Sequence, residues 1–159
     1  MEAEPIVLKH AQLTEKIIGI FYDVYNELGH GFLESVYEES MVIALRDEKL
    51  DVNQQVSVPV WFRGHNVGEF RADVIVEQNV LLELKGARTL ECVHEAQLLH
   101  YLRSTSIEVG LLLNFGPRPQ FRRLVFDNAR KRISGNPYQS AAGFLHENWL
   151  RLAEFYLKQ

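Results

Sequence analysis

The chain has 159 residues, 47% hydrophobic and 24% charged, with a formal net charge of −4, which is ordinary for one globular domain and argues against a surface coated in phosphate-binding groups. No apolar run approaches the roughly 20 residues of a membrane helix, and the start MEAEPIVLKH lacks the plan of a secretory signal, so we expect a cytoplasmic protein without a membrane partner. The single cysteine, Cys92, excludes a disulfide framework or a zinc set and is expected to be a buried structural thiol.

Two amphipathic helices are predicted at the start of the chain. Apolar residues recur at three- and four-residue spacing from Leu13 to Leu28, which predicts a helix that begins near Thr14. The glycines of GHG, residues 29–31, end it. A second helix is predicted from about Leu33 to Lys49, and its apolar face carries Val36, Tyr37, Met41, Ala44 and Leu45.

The segments that follow alternate in the manner of strands. Three are predicted in succession, VNQQVSVPVWFRG, VGEFRADVIVE and VLLELKG, joined by turns at GHN and EQN. A third helix is expected from Glu91 to Arg103, then two strands in EVGLLLNFG and FRRLVFD, and a final helix from Ala141 to Leu157. The order α-α-β-β-β-α-β-β-α predicts a single α/β domain over residues 1–159.

The strand in NVLLELKGA, residues 79–87, carries two charges that a buried strand rarely tolerates. Val80, Leu82 and Leu84 share one face, and Glu83 and Lys85 lie on the other with Leu81. One interpretation is a half-exposed strand whose second face is wet, with a weak Glu–Lys pair. The other is a functional site, because burying an ion costs several kcal/mol unless it is paired or bound to a metal.

A second acidic residue, Asp73, lies in the preceding strand. Alternation places Phe70, Ala72, Val74 and Val76 on one face and Asp73 on the other. A three-residue turn at Glu77–Asn79 would set Val76 against Val80 and Asp73 opposite Glu83, with Asn79 in the left-handed conformation. A two-residue turn would instead set Asp73 opposite Leu84.

Two facing carboxylates repel each other unless a cation lies between them. Oxygen ligands favour Mg²⁺ or Mn²⁺ over zinc. With Lys85 on the same face, such a site could polarise a phosphoryl oxygen and orient an attacking water. At a strand end the Lys85 ammonium is expected to stay hydrated, so that its loss would scarcely affect folding.

The segment GFLESVYEES contains Gly-x-x-Glu-x-x-Tyr through Gly31, Glu34 and Tyr37, and the chain closely resembles the GxxExxY proteins of the PD-(D/E)xK nuclease-like superfamily. The resemblance runs from about Leu13 to Val125 and includes ADVIVEQNVLLELKG, HEAQLLHYL and GLLLNFG. Ala72 stands where the motif has proline.

The resemblance implies a fold and a set of site residues. The fold is a mixed β-sheet flanked by helices, a restriction-endonuclease-like core of order αβββαβ with an extra N-terminal and an extra C-terminal helix. Asp73, Glu83 and Lys85 would form the core site, with Glu34 as a further acid on the metal side. Gln97 and Tyr101 would be the helical motif found in a subset of these nucleases. Residues 134–159 lie beyond the resemblance as a helical extension.

The functional hypothesis is therefore a nuclease that uses Mg²⁺ or Mn²⁺ to hydrolyse phosphodiester bonds of nucleic acid, with DNA as the expected substrate. A local excess of basic residues between Arg118 and Arg132 predicts backbone contacts through Arg122, Arg123 and Arg130, or else a solvated strand end. The alternative function is an inactive nuclease-like module that binds nucleic acid or a partner protein. In the tail, an apolar stripe through Trp149 predicts docking on its own domain or a homodimer contact.

Overall fold

The structure of the protein is a computed structural model that describes residues 8–131, the side chain of Trp61 excepted. Three helices are formed, α1 (Ala11–Leu28), α2 (Glu34–Asp47) and α3 (Cys92–Ser104). The strands are β1 (Val52–Phe62), β2 (His65–Val76), β3 (Val80–Lys85), β4 (Val109–Asn114) and β5 (Gln120–Val125), followed by a short 3₁₀ helix, Asn128–Arg130. The predicted order of elements is confirmed to this point, and the predicted C-terminal helix lies outside the described residues.

The five strands form one mixed sheet in the order β1-β2-β3-β4-β5. Only β3 and β4 are parallel, because α3 connects them as a crossover, whereas the other neighbouring strands are antiparallel. Helices cover both faces of the sheet, which confirms the predicted mixed sheet flanked by helices. No helix among residues 8–131 is both long enough and apolar enough to span a membrane.

Two hydrophobic clusters lie on opposite faces of the sheet. The helix-pair core joins α1 and α2 to one face and includes Phe21, Tyr37, Leu82 and Leu111. The single-helix core joins α3 to the other face and includes Leu81, Leu98 and Leu112. Gly110 permits the close approach of α3, because a Cβ at this position would lie 2.8 Å from a side-chain carbon of Leu98.

The predicted faces of β2 are wrong, because the strand turns over at Asp73. Val74 and Val76 belong to the helix-pair core, whereas Ala72 lies in the single-helix core on the other face. The neighbouring strand changes in the same place: Val52 packs in the first core and Val56 against the second. The β1–β2 ladder pairs Gln54 with Val74 and Val56 with Ala72, but it skips Gln55 and Asp73.

The irregularity has a backbone cause. Gln55 adopts a positive φ of 52°, which breaks the alternation of a strand. As a result, even-numbered residues of both strands face the helix-pair core on one side of this point and the single-helix core on the other side. Asp73 lies at the point where the faces reverse, and its side chain belongs to neither of the two hydrophobic clusters.

Of the two predicted hairpin turns, the β2–β3 turn has the predicted length and the β1–β2 turn does not. Val76 pairs with Val80, so the three-residue connection Glu77–Asn79 and its register are confirmed. The left-handed residues are Glu77 and Gln78, with φ of 52° and 56°, rather than Asn79, whose N–H closes the turn onto Val76. The β1–β2 turn is Arg63–Gly64 instead of Gly64–Asn66.

Candidate active site

The charged end of β3 is buried, which excludes the wet-strand interpretation. Glu83 is 3% exposed and Lys85 is half-buried, with its side chain 15% exposed. The Lys85 Nζ atom donates a hydrogen bond to Glu83 Oε1 at 2.8 Å. The expectation of a hydrated ammonium at Lys85 is therefore wrong, because the ion pair draws the amine down onto the sheet.

Asp73 lies beside this pair at the crossover of β2. The β2–β3 ladder runs from Val76–Val80 to Val74–Leu82 and then stops, although Asp73 and Glu83 come next in the same register. The carboxylate takes over the next backbone bond: Asp73 Oδ2 accepts the N–H of Leu84 at 2.8 Å. The side chain thus holds the two diverging strands together at the point where the site opens.

The two carboxyl groups of the sheet disfavour each other's ionisation. Burial and the negative charge of Asp73 raise the pKa of Glu83 to about 7, although the hydrogen bond from Lys85 opposes the change. Burial also raises the pKa of Asp73, against the Leu84 N–H bond, and the charge of Glu38 adds to the increase. For Lys85, burial alone would lower the pKa, but its bond to Glu83 and the charges around it raise the pKa above the ordinary value.

Glu34 reaches the same strand end from the first turn of α2. Its Oε1 accepts the backbone N–H of Gly86, directly after Lys85, at 3.1 Å. Tyr37 fixes the loop that delivers it: the buried hydroxyl donates to the carbonyl of Gly29 at 2.7 Å and accepts the N–H of Phe32 at 3.2 Å. The Gly31–Glu34–Tyr37 spacing therefore combines a turn in which Gly31 adopts a positive φ of 109°, an acid at the site and the tyrosine that holds the turn in place.

The loop after β3 is fixed from the other side by β4. The fully buried Asn114 side chain accepts the N–H of Ala87 and donates to its carbonyl, both at 2.9 Å. The N–H of Phe115 donates to the carbonyl of Lys85 at 2.7 Å. A Cβ at Gly116 would lie 2.0 Å from the carbonyl oxygen of Ala87, so only glycine fits there. Sequence reasoning did not identify Asn114 as a support of the site.

On the sheet face that carries Leu81 and Glu83, α3 contributes Gln97 and Tyr101. The Gln97 amide donates a hydrogen bond to the Tyr101 hydroxyl, and the Tyr101 ring stacks on Phe70 with centroids 3.8 Å apart. Burial, with the charge of Glu83 adding to it, raises the pKa of Tyr101 despite the Gln97 bond. His94 caps the helix by accepting the N–H of Glu91 at its Nδ1. Cys92 is exposed, so the expectation of a buried thiol is wrong.

Glu38 is a further acid near the site, one turn after Glu34. It raises the pKa of Asp73 and accepts amide hydrogen bonds from Gln54 and Gln55 at 2.8 Å. The two glutamines come from the point where β1 turns over. The sequence places Glu38 on the same helix face as Glu34, but only the irregularity at Gln55 brings the amides to it.

The three predicted substrate-binding arginines are not brought together. Arg122 faces α3 in the same cross-strand row as Leu112 and Glu83, about 10 Å from the latter by strand spacing, and pairs with Glu95 at 3.4 Å. Arg123 lies on the opposite face, where it donates to the carbonyl of Lys9. Arg130 follows β5 at the end of the sheet away from Lys85, with its guanidinium 5.3 Å from the Phe126 ring centroid.

The donor set fits a divalent cation in its chemistry. Glu83 Oε2 is buried and has no hydrogen-bond partner among the described residues, which is costly for an ionised carboxylate. A cation beside Asp73 and Glu83 would satisfy this oxygen and neutralise the repulsion that raises the pKa of Glu83. Within residues 8–131 no three acidic, histidine or cysteine side chains are gathered closely enough to form a ready-made metal cluster.

Comparison with known proteins connects this geometry to a family. A family model described as the PD-(D/E)XK nuclease superfamily matches residues 11–124. A solved structure titled "Crystal structure of SSO0001" is similar with 18% sequence identity and a TM-score of 0.47, covering 74% of this chain and 59% of that chain. The chain thus spans less than two thirds of that protein's length. No curated protein sequence matches the chain.

Proposed function

We propose that this chain, which belongs to the PD-(D/E)XK nuclease superfamily, is a metal-dependent nuclease that hydrolyses phosphodiester bonds of nucleic acid. Its preferred substrate would be DNA rather than RNA. The observation that carries the proposal is the buried Glu83 oxygen without a partner, next to Asp73 and the Glu83–Lys85 ion pair. An apolar strand retains such a costly group where it serves a ligand. The restriction-endonuclease-like core expected of the superfamily agrees with the mixed sheet and its helices.

Asp73 and Glu83 would hold the cation, Mg²⁺ or Mn²⁺, and Glu34 would assist from α2. Nucleases of this superfamily generally use divalent ions. When bound, the ion supplies charge that stabilises a phosphoryl oxygen and lowers the pKa of water. Asp73 is positioned by the Leu84 N–H and Glu34 by the Gly86 N–H, so both acids already point to the end of β3.

Lys85 would orient the attacking water and stabilise the negative charge that develops on the phosphoryl group. In the resting protein its ammonium is engaged by Glu83, and a ligand that draws Glu83 away would free it for the phosphate. Gln97 and Tyr101 would steady the phosphate or Lys85 through their paired polar ends above the sheet. The bond between them keeps both side chains in one orientation before substrate arrives.

The three arginines would contact the nucleic-acid backbone at different distances from the proposed catalytic residues. Arg122 is the best placed, because it shares a sheet row with Glu83 and its pairing with Glu95 is exposed and weak. Arg123 and Arg130 would contact phosphates only if the nucleic-acid strand extended further, over the edge of the sheet. Such contacts give salt-sensitive binding without base reading.

The second candidate function is an inactive nuclease-like module that binds nucleic acid or a partner protein. It is favoured by the closed Glu83–Lys85 pair, in which the lysine is already engaged. A buried acid with a raised pKa and a paired lysine can both persist as structural remnants. A cleavage assay separates the two candidates.

The deciding experiment incubates purified protein with labelled single- and double-stranded DNA and RNA in Mg²⁺, Mn²⁺ or EDTA. We expect cleavage in either metal, none in EDTA, and loss of cleavage in Asp73→Asn. Glu15→Gln, which removes an exposed acid of α1, is the matched control and should cleave normally. Binding without cleavage under every condition would favour the inactive module.

Three narrower assignments accompany this proposal: the subfamily, the cellular location and the oligomeric state. The Gly31–Glu34–Tyr37 motif supports membership of the GxxExxY proteins, and a cytoplasmic location remains a prediction of the sequence. The apolar stripe through Trp149 supports a homodimer contact through the C-terminal segment, in a region outside the described residues. Light scattering of wild type and Trp149→Glu tests it, since a monomeric wild type removes the dimer.

A further inference from the structure

Two large apolar side chains stand exposed at the rim of the proposed nuclease site. Phe32 is 50% exposed and Leu33 is 77% exposed, directly before Glu34. The loop lies against the end of β3: the Phe32 carbonyl oxygen would be 3.9 Å from a Cβ at Gly86, and Glu34 accepts the Gly86 N–H. The apolar pair is therefore contiguous with the residues proposed to act on the phosphodiester.

The pair is held in position before any ligand binds. The N–H of Phe32 donates to the Tyr37 hydroxyl, and the two rings meet edge to face with centroids 6.0 Å apart. Tyr37 is itself stacked on the buried Phe115 ring at 4.3 Å. A rigid aromatic platform loses little conformational freedom on binding, which favours affinity.

The charges around the rim indicate what part of a nucleic acid would contact it. Glu34 and Glu38 lie one turn apart on α2, and their charges act on Asp73, which lies on the sheet beside Glu83 and its partner Lys85. Without bound cations these acids repel phosphates, so the binding strength of a strand at this rim must come from its bases. Aromatic and apolar side chains stack on any base, because every base has a π-face.

From this juxtaposition we propose that Phe32 and Leu33 form a nucleobase-stacking site that selects single-stranded or locally unpaired nucleic acid for the adjacent carboxylates. The proposal rests on the proposed nuclease function and names its substrate class. Bases of an intact duplex are already stacked on one another and present only their edges, so they gain nothing from the platform. A strand with free bases can place one on Phe32 while its phosphodiester lies at Glu83.

The test measures binding by fluorescence anisotropy in EDTA, so that no cleavage occurs. Three labelled ligands are compared: a mixed-sequence single strand, the same strand with equal phosphate number but made abasic at its central positions, and a duplex of the single strand with its complement. Wild-type protein is expected to bind the single strand roughly tenfold or more tightly than the abasic strand, the scale that one stacked base provides. The double variant F32A/L33A should bind the single strand as weakly as the abasic one.

The matched control is Ile43→Ala. Ile43 lies on α2, the helix that follows Leu33, and its side chain is 60% exposed, but it lines the groove between α1 and α2 instead of the rim. This variant should bind every ligand as wild type does. Because Phe32 packs on Tyr37, Leu33→Ala alone provides a variant that leaves this packing intact and should still weaken single-strand binding severalfold. Thermal melts of each variant check folding.

The outcomes separate the stacking site from the nuclease function. Equal binding of single strand and abasic strand by wild type, or an unchanged affinity in F32A/L33A, overturns the stacking site. If wild type nevertheless cleaves nucleic acid in Mg²⁺ or Mn²⁺, the nuclease function stands without it. A wild type that neither binds nor cleaves any of the ligands overturns both.

Discussion

Replacing Glu83 by glutamine should stabilise the metal-free protein at pH 8 and leave its stability nearly unchanged at pH 4.5. Burial and the charge of Asp73 raise the pKa of Glu83 from 4.5 to about 7. A carboxyl group with a raised pKa contributes its full stability below pH 4.5, where it is neutral in both states. That stability is lost as the pH rises through about 7, because folding then requires a buried charge.

The interval between pH 4.5 and about 7 corresponds to about 3 kcal/mol at roughly 1.4 kcal/mol per pH unit. The glutamine amide avoids this cost, but Lys85 loses the charge that raises its own pKa and keeps only a carbonyl partner. The net gain at pH 8 should therefore be about 1–3 kcal/mol, or on the order of 3–10 °C in melting temperature for a chain of this size.

The assay is thermal and urea unfolding in EDTA at the two pH values, for wild type, Glu83→Gln and the exposed-site control Glu15→Gln. The control should show no gain at pH 8 relative to pH 4.5. Mg²⁺ should raise the melting temperature of wild type and have little effect on Glu83→Gln, because the ligand is gone. A Glu83→Gln protein that is no more stable than wild type at pH 8 would refute the assignment of a costly buried charge to this residue.

Three further predictions concern Asp73, Lys85 and the tyrosine that holds the loop before Glu34. Asp73→Asn should reduce the stabilisation of the protein by Mn²⁺, measured by melting temperature, and an unchanged response would place the ion elsewhere. Lys85→Ala should lower cleavage by about 10²-fold or more, and Lys85→Arg should restore it incompletely, since a planar guanidinium does not replace an ammonium; retained activity in Lys85→Ala would assign the cleavage to another site. Tyr37→Phe should lower the free energy of unfolding by about 1–3 kcal/mol, because it leaves the Gly29 carbonyl and the Phe32 N–H without their partner. Urea unfolding checks this last value, and an unchanged midpoint would contradict it.

The sequence alone determined the elements and the order in which they occur. Helical spacing in α1 and α2 and alternation in β3 arise from contacts within a few residues, so they can be read locally. For the β2–β3 hairpin the sequence limited the register to two turn lengths, and the structure has the three-residue turn that pairs Val76 with Val80. The charges of Glu83 and Lys85 inside an apolar strand marked the site, because burial of an unpaired ion is unfavourable wherever it occurs.

Only the tertiary structure decided how the side chains meet at that site. The reversal of faces at Gln55 and Asp73 depends on two strands that must satisfy helices on opposite sides of one sheet, and no local pattern encodes it. The Asp73 bond to Leu84, the Glu34 bond to Gly86 and the dispersal of the arginines are likewise contacts between elements distant in sequence. Such contacts depend on how the sheet and helices pack together, and this packing determines which charges are buried and therefore which pKa values shift.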